Sequence, residues 1–216
     1  MVSKSIKIDS ERDLQSAVTK AADVINSGGM VAVPTESFYG LAVNPTDIKA
    51  IQRLFHVKKR RGDQPILILI PSVKLLDQYV IHIPEIARPL MNAFWPGGLT
   101  LIFEAKPNLP RELTSGTGKV GVRLSGHPIA TALAQAVGAP ITGTSANVSG
   151  QPPCSSAREV LQHLGEKVDL ILDGGETAGG KGSTVLDVTM DPPLVVREGM
   201  VSREQIAKCL KCSEPI

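Results

Sequence analysis

The chain has 216 residues, 42% of them hydrophobic, which is enough to bury one sizeable core and too short for two ordinary domains with a linker. With 23 Lys and Arg against 21 Asp and Glu, the net charge of +2 supplies no overall field that argues for nucleic acid or a membrane surface. An aromatic content of 3% excludes a broad platform for stacking bases. Any anion site must therefore come from local clustering. The opening Met1-Val2-Ser3-Lys4-Ser5-Ile6 lacks the apolar stretch and cleavage site of a signal peptide, and no apolar run approaches the roughly 20 residues of a spanning helix. These features predict a soluble, cytoplasmic protein without a membrane partner. Cys154, Cys209 and Cys212 are too few and too scattered for a disulfide framework, and the lone CxxC at Cys209 and Cys212 reads as incidental, not as a metal site.

In chain order, Ser10 and Asp13 signal a helix start, and Leu14, Ala17, Val18, Ala21, Val24 and Ile25 repeat at helical spacing until Gly28-Gly29. Met30 to Val33 reads as a short buried strand ending at Pro34, followed by an irregular segment and a helix from Asp47 to Val57. The apolar run Ile66 to Ile70 predicts a strand buried on both faces, and Leu99 to Phe103 and Val120 to Leu124 predict two more. Helices are predicted over Val73 to Tyr79, Glu85 to Phe94, Ile129 to Val137 and Ala157 to Leu164, the last opened by Ser156 and Glu159. Strands over Leu170 to Asp173, Val185 to Val188 and Leu194 to Arg197 precede a closing helix capped by Ser202 and Gln205. The alternation is that of one α/β domain, with about seven strands covered by helices.

Three loops carry more chemistry than a connection requires. Pro34-Thr35-Glu36-Ser37-Phe38-Tyr39-Gly40-Leu41 reads, taken alone, as a connection in which Tyr39 packs and Gly40 permits a turn. Lys58-Lys59-Arg60-Arg61-Gly62-Asp63-Gln64-Pro65 places four consecutive cations at a helix end. The helix dipole favours cations there, but four like charges repel, and a compact anion such as a triphosphate would relieve that repulsion. Thr142-Gly143-Thr144-Ser145-Ala146-Asn147-Val148-Ser149-Gly150 follows a short strand and offers small hydroxyls and backbone N–H donors to phosphate, or is a plain turn. Gly175-Glu176-Thr177-Ala178-Gly179-Gly180-Lys181 has Walker spacing, yet Gly182 stands where Ser or Thr should follow, and the next segment, Ser183 to Val188, is strand-like instead of helical. It reads as a glycine-rich loop leading into a strand.

Taken in order, these segments resemble the threonylcarbamoyl-AMP synthase family, the YrdC-like domain. The resemblance rests on Pro34-Thr35-Glu36 with Tyr39-Gly40-Leu41, on a KxR motif at Lys58 and Arg60, and on an SxN motif at Ser145 and Asn147. Trp95-Pro96-Gly97-Gly98-Leu99-Thr100, Val122-Arg123 with His127-Pro128, Ser183-Thr184-Val185 and Val196-Arg197 with Gly199 extend it over about residues 10–210, taken as one domain. It implies an α/β fold, a single-domain twisted open mixed sheet flanked by helices, with a large basic cavity. In that cavity Lys58, Arg60, Thr144, Ser145, Asn147 and Arg197 would hold ATP, with Lys58 and Arg60 the catalytic cations, while Thr35, Tyr39, Arg123 and Ser183 would surround L-threonine. Arg123 suits the amino acid carboxylate because its planar fork pairs bidentately. The family usually has Gly at position 59, Pro at 61 and Pro near 125, where this chain has Lys59, Arg61 and Ser125. The resemblance is to the core-domain form, without a C-terminal extension.

The implied activity is condensation of L-threonine, bicarbonate or carbon dioxide and ATP to threonylcarbamoyl-AMP and pyrophosphate, for modification of a tRNA adenosine beside the anticodon. Mg2+ would be held mainly by ATP phosphates and water, with no metal site of the protein's own. Downstream partners would be tRNA threonylcarbamoyl-transferase proteins, and direct contact with tRNA or double-stranded RNA is left open. His127, at a helix start before Pro128, reads as structural. Two alternatives are a non-catalytic RNA-binding accessory protein using the same cavity, and a carbamoyl-transfer relative of the kind found within hydrogenase-maturation proteins.

Overall fold

The structure, a computed structural model, describes residues 4–211, so Cys212 of the CxxC pair lies outside the described residues. Strand β1 (Lys4–Lys7) precedes helix α1 (Glu11–Asn26), whose start the Ser10 hydroxyl fixes by accepting the Asp13 N–H. Next come β2 (Val31–Pro34), β3 (Tyr39–Ala42) and α2 (Ile48–Lys58), the last capped by the Asp47 carboxylate. β4 (Leu67–Leu69), α3 (Ala87–Phe94), β5 (Leu99–Glu104), α4 (Arg111–Thr114) and β6 (Lys119–Arg123) form the middle of the chain. α5 (Pro128–Val137), β7 (Ile141–Ser145), α6 (Ala157–Leu164) and β8 (Leu170–Asp173) follow. β9 (Thr184–Asp187), β10 (Leu194–Arg197) and α7 (Arg203–Lys211) close the described chain. Ser202 and Gln205 cap α7 reciprocally, each side chain accepting the other's N–H.

Among the described residues the sheet has ten strands in the order β1-β8-β2-β3-β7-β4-β6-β5-β9-β10, more than the roughly seven read from hydrophobic runs. β1 is short and mostly polar, and it exists because it pairs in parallel with β8. The segment expected to be irregular contains β3, which pairs antiparallel with β2 on one side and β7 on the other. Gly40 is therefore a strand residue and turns nothing; the turn is Thr35 to Phe38, between the paired Pro34 and Tyr39. β7 likewise runs on to Ser145, through half of the segment expected to be loop. Residues 73–78 form a 3-10 helix instead of an α-helix, and Ser72 makes no side-chain capping bond there.

Alternation along the strands sends side chains to two cores. Val31, Val33, Leu170 and Leu172 pack beneath α1 and α5, against Ala17, Ala21, Ile25 and Leu133. Ala32, Ile171, Ile68 and Ile70 face the other way, toward Ile51 and Leu54 of α2, Leu90 of α3, Val160 of α6 and Ile206 of α7. Among the described residues, no helix is long and apolar enough to cross a membrane. Thr184, fully buried, ties the chain's return to β9 by donating to Val201 O at 2.5 Å and accepting from the N–H groups of Gly199 and Val201.

At the end of α2 the N–H groups of Lys59 and Arg60 return to the carbonyls of His56 and Phe55, and Lys59 takes a φ of 48°. That left-handed conformation is the physical reason for a glycine there. Lys59→Gly is expected to raise the free energy of unfolding by about 1 kcal/mol, read as a higher urea midpoint at unchanged slope.

Candidate functional site

A cavity of about 640 Å³, within the size range of small-molecule sites, opens on the sheet face that carries α1 and α5. Leu69 marks the boundary, since it belongs both to the core under those helices and to the cavity wall. Beyond it the floor consists of alternate residues of adjacent strands: Leu67 of β4, Gly121 of β6, Gly143 of β7 and Ile102 of β5. The two glycines are sites of close approach. A Cβ at Gly143 would come within 2.6 Å of Leu67 Cδ1, and one at Gly121 within 3.2 Å of both Leu67 Cβ and Thr100 Cγ2.

Nine of the ten residues singled out from the sequence line this one cavity: Thr35, Tyr39, Arg60, Arg123, Thr144, Ser145, Asn147, Ser183 and Arg197. Lys58 does not. It is 1% exposed and stands behind the wall, its Nζ donating to the carbonyl of Ser145, to Asn147 O at 2.9 Å and to Asn147 Oδ1 at 3.1 Å. Asn147 Oδ1 also accepts the Ser145 hydroxyl at 2.6 Å, and Ser149 N–H returns to Lys58 O at 2.7 Å. Burial and the charge of Arg60 pull the Lys58 ammonium down to about 7, while three oxygen acceptors match the three N–H bonds of its protonated form.

The four-cation run separates in space. Lys59 and Arg61 are exposed, and Arg61 pairs with Asp63 at 2.8 Å. Arg60 turns into the cavity wall, donating from Nε to Gln64 O and from Nη2 to Pro65 O. Arg197 reaches the cavity through an irregularity in the β9–β10 pairing between Val195 and Arg197, and it donates to Ser183 O and Oγ. Burial lowers the pKa values of Arg60, Arg123 and Arg197; the charge of Arg197 lowers Arg60 further, and at Arg123 it adds to burial against the opposing charge of Glu36. An anion within reach of these guanidinium groups would lift that penalty.

The residues assigned to the amino acid are partly engaged with the protein itself. Tyr39 OH donates to Gly175 O at 2.7 Å and accepts from Gly174 N; burial and the charge of Asp173 push the phenol up to about 12 against that Gly174 bond. Thr35 Oγ1 donates to Phe38 O at 2.7 Å, and Ser183 Oγ accepts from Thr100 Oγ1 at 2.9 Å. Arg123 donates from Nε to Gly97 O at 2.8 Å and from Nη2 to the Glu36 carboxylate. His127 caps α5 without a side-chain bond and lies outside the cavity lining; burial lowers its pKa.

A Sua5/YciO/YrdC family model, described as telomere recombination, matches residues 23–199, most of the chain. The chain belongs to the Sua5/YciO/YrdC family. It is similar to the threonylcarbamoyl-AMP synthase of Pyrococcus abyssi, 40% identical over 200 residues, which covers 93% of this chain and 59% of that protein. It is also similar to the threonylcarbamoyl-AMP synthase of Bacillus subtilis, 38% identical over 88% of this chain and 55% of that protein. The chain thus spans somewhat over half the length of these relatives. The crystal structure of P. abyssi Sua5 complexed with L-threonine superposes with a TM-score of 0.91 at 38% identity, covering 97% of this chain and 61% of that one.

Three residues of this Sua5/YciO/YrdC cavity escaped the sequence reading. Lys119, paired with Asp187 at 2.8 Å, lines it from the other end of the strand that carries Arg123, and strand alternation over Lys119, Gly121 and Arg123 was a signal for it. Lys181 lines it from the glycine-rich loop before β9, and Glu36 backs it through Arg123. Among the described residues, no cluster of three or more His, Cys, Asp or Glu could hold a metal ion.

Because the folded-state pKa of Lys58 lies below its unfolded value, the unfolded chain holds a proton that the folded chain lacks from about pH 7 to about pH 10, and stability rises with pH across that window. Lys58→Met is expected to abolish that rise. It should also cost about 1–3 kcal/mol by leaving the Ser145 and Asn147 oxygens without their donor. Urea denaturation of both proteins at about pH 7 and about pH 9 reads the difference; parallel pH courses would rule the titration out.

Proposed function

We propose that this chain is a transferase that condenses L-threonine, bicarbonate or carbon dioxide, and ATP to threonylcarbamoyl-AMP and pyrophosphate. The observation that carries this reading is the meeting of Arg60, Arg123 and Arg197 in one cavity, where burial already disfavours their charged forms. Arg60 and Arg197 meet only neutral protein partners, so a triphosphate would supply the counter-charge they lack, and the amino acid carboxylate would take the N–H groups of Arg123 that Glu36 leaves open. The names of the relatives and the complex of P. abyssi Sua5 with L-threonine support the same substrates. Nothing comparable favours a non-catalytic RNA-binding role.

In this reaction the threonine amine takes up carbon dioxide, or bicarbonate with loss of water, to give a carbamate. A carbamate oxygen bonds to the α-phosphorus of ATP, and the bond to the β-phosphate oxygen breaks to release pyrophosphate. No covalent enzyme nucleophile is needed, so catalysis rests on holding the carbamate in line with the α-phosphorus and on cations facing the departing charge. Arg60 and Arg197, with Lys181 also in the lining, suit the phosphates; Ser145 and Thr144 add donors. Lys58 serves from behind, fixing the Ser145–Asn147 segment against the end of α2. Magnesium would come with the nucleotide, bound through its phosphates and water, and would add positive charge facing the departing pyrophosphate. The product, a mixed anhydride, would pass to a transferase acting on tRNA adenosine.

Protein supplied with Mg-ATP, L-threonine and bicarbonate is expected to release pyrophosphate, and omitting L-threonine to abolish that release. Arg60→Ala and Arg197→Ala should each lower kcat/KM roughly 10- to 100-fold, the loss of a charge-assisted contact of about 1.5–3 kcal/mol, with the fold intact by circular dichroism. Threonine-independent release, or unchanged turnover in both variants, would sink the reading. L-Serine in place of L-threonine tests how closely the pocket reads the side chain.

A further inference from the structure

The three guanidinium groups of the cavity differ in their protein partners. Arg60 donates to the carbonyls of Gln64 and Pro65, and Arg197 to the carbonyl and hydroxyl of Ser183, all of them neutral. Arg123 alone of the three faces a carboxylate: its Nη2 donates to Glu36 Oε2. Glu36 also accepts from Ser125 Oγ at 3.1 Å and from Gly126 N–H at 2.5 Å, both in the turn before α5. The side chains of Arg123 and Glu36 are 6% and 15% exposed, so solvent screens their pairing little.

The loop carrying Glu36 is firmly held. It is the four-residue turn between β2 and β3, and Ser37 O accepts from Thr177 Oγ1 at 2.8 Å and from Gly179 N–H at 2.8 Å. Glu36 does not itself line the cavity, whereas Arg123 does. Gly97 O and Glu36 fill the Nε and Nη2 edge of the guanidinium, which leaves Nη1 for a ligand. A pair of opposite unit charges exerts little net pull on a polyphosphate, while Arg60 and Arg197 keep theirs. From this difference the structure assigns to Glu36 the division of the cavity. By cancelling the charge of Arg123 it keeps polyphosphate on Arg60 and Arg197, and it reserves the remaining N–H groups of Arg123 for the single carboxylate of an amino acid. Glu36 is thus a positioning and specificity-determining residue that touches neither substrate.

Because this assignment rests on the functional reading above, its test separates the two. Nitrogen-15 NMR of the arginine side chains of the unaltered protein is expected to show pyrophosphate shifting Arg60 and Arg197 but not Arg123, and L-threonine shifting Arg123. In Glu36→Gln, pyrophosphate should reach Arg123 and weaken L-threonine binding, measured by calorimetry, by about tenfold, against less than about twofold in the unaltered protein. Glu36→Asp, which keeps the carboxylate, should restore that insensitivity; a merely structural role would not produce competition by pyrophosphate. Movement of the Arg123 signal by pyrophosphate in the unaltered protein would overturn the division. L-Threonine moving none of the three signals would instead overturn the functional reading, with the pyrophosphate result still deciding the division.

Discussion

A basic side chain taken out of water must be surrounded by oxygens, and in this fold main-chain carbonyls meet that demand. Lys58 draws on Ser145 and Asn147, Arg60 on Gln64 and Pro65, Arg123 on Gly97, and Arg197 on Ser183. Each contact joins a cation to a loop or strand end distant in the fold or at a tight turn, so the segments that shape the cavity are held by the charges they present. Carbonyls solvate without neutralising. Arg60 and Arg197 therefore remain positive, whereas Arg123 also meets the Glu36 carboxylate, and the unmet part of the desolvation cost of the first two is what an anionic ligand would relieve.

Close backbone approach makes this arrangement possible. A Cβ at Gly199 would lie 2.1 Å from Gly182 O, so only a glycine lets the chain after β10 lie against the stretch that leads into β9. That contact brings Arg197 onto Ser183. The β2–β3 turn is fastened in a comparable way: Tyr39 OH binds the backbone of Gly174 and Gly175, and Thr177 binds back to Ser37 O. The glycine-rich loop with misleading Walker spacing is thus a clamp on the turn that carries Thr35 and Glu36, and the end of that loop puts Lys181 at the cavity.

What is local in the chain was legible in its residues. The caps at Ser10, Ser156 and Ser202 operate within a few positions of each other, and the structure contains each of them. Apolar runs such as Ile66 to Ile70 marked the buried strands, and the β-branched residues after Gly182 distinguished a strand from a phosphate-binding helix. β1 and β3 were not legible: Lys4-Ser5-Ile6-Lys7 becomes a strand only through β8, far along the chain, and Tyr39-Gly40-Leu41-Ala42, short and broken by a glycine, is held between β2 beside it and the distant β7. Ordered motifs likewise pointed to the family and to most of the residues that meet in the cavity.

Residue type alone could not say which cations face the cavity. Lys58 and Arg60 stand two positions apart, yet one is sealed behind the wall and the other lines it, because Lys59 turns the backbone through a left-handed conformation between them. The carboxylate opposite Arg123 comes from 87 residues away, across the sheet. The sequence by itself determined most of the helices and the apolar strands, the family and the stock of basic and hydroxyl groups, since these depend on neighbours in the chain. Tertiary structure decided which charges are buried, which are paired and which are left for a ligand, since desolvation and ion pairing depend on distances that only the folded sheet sets.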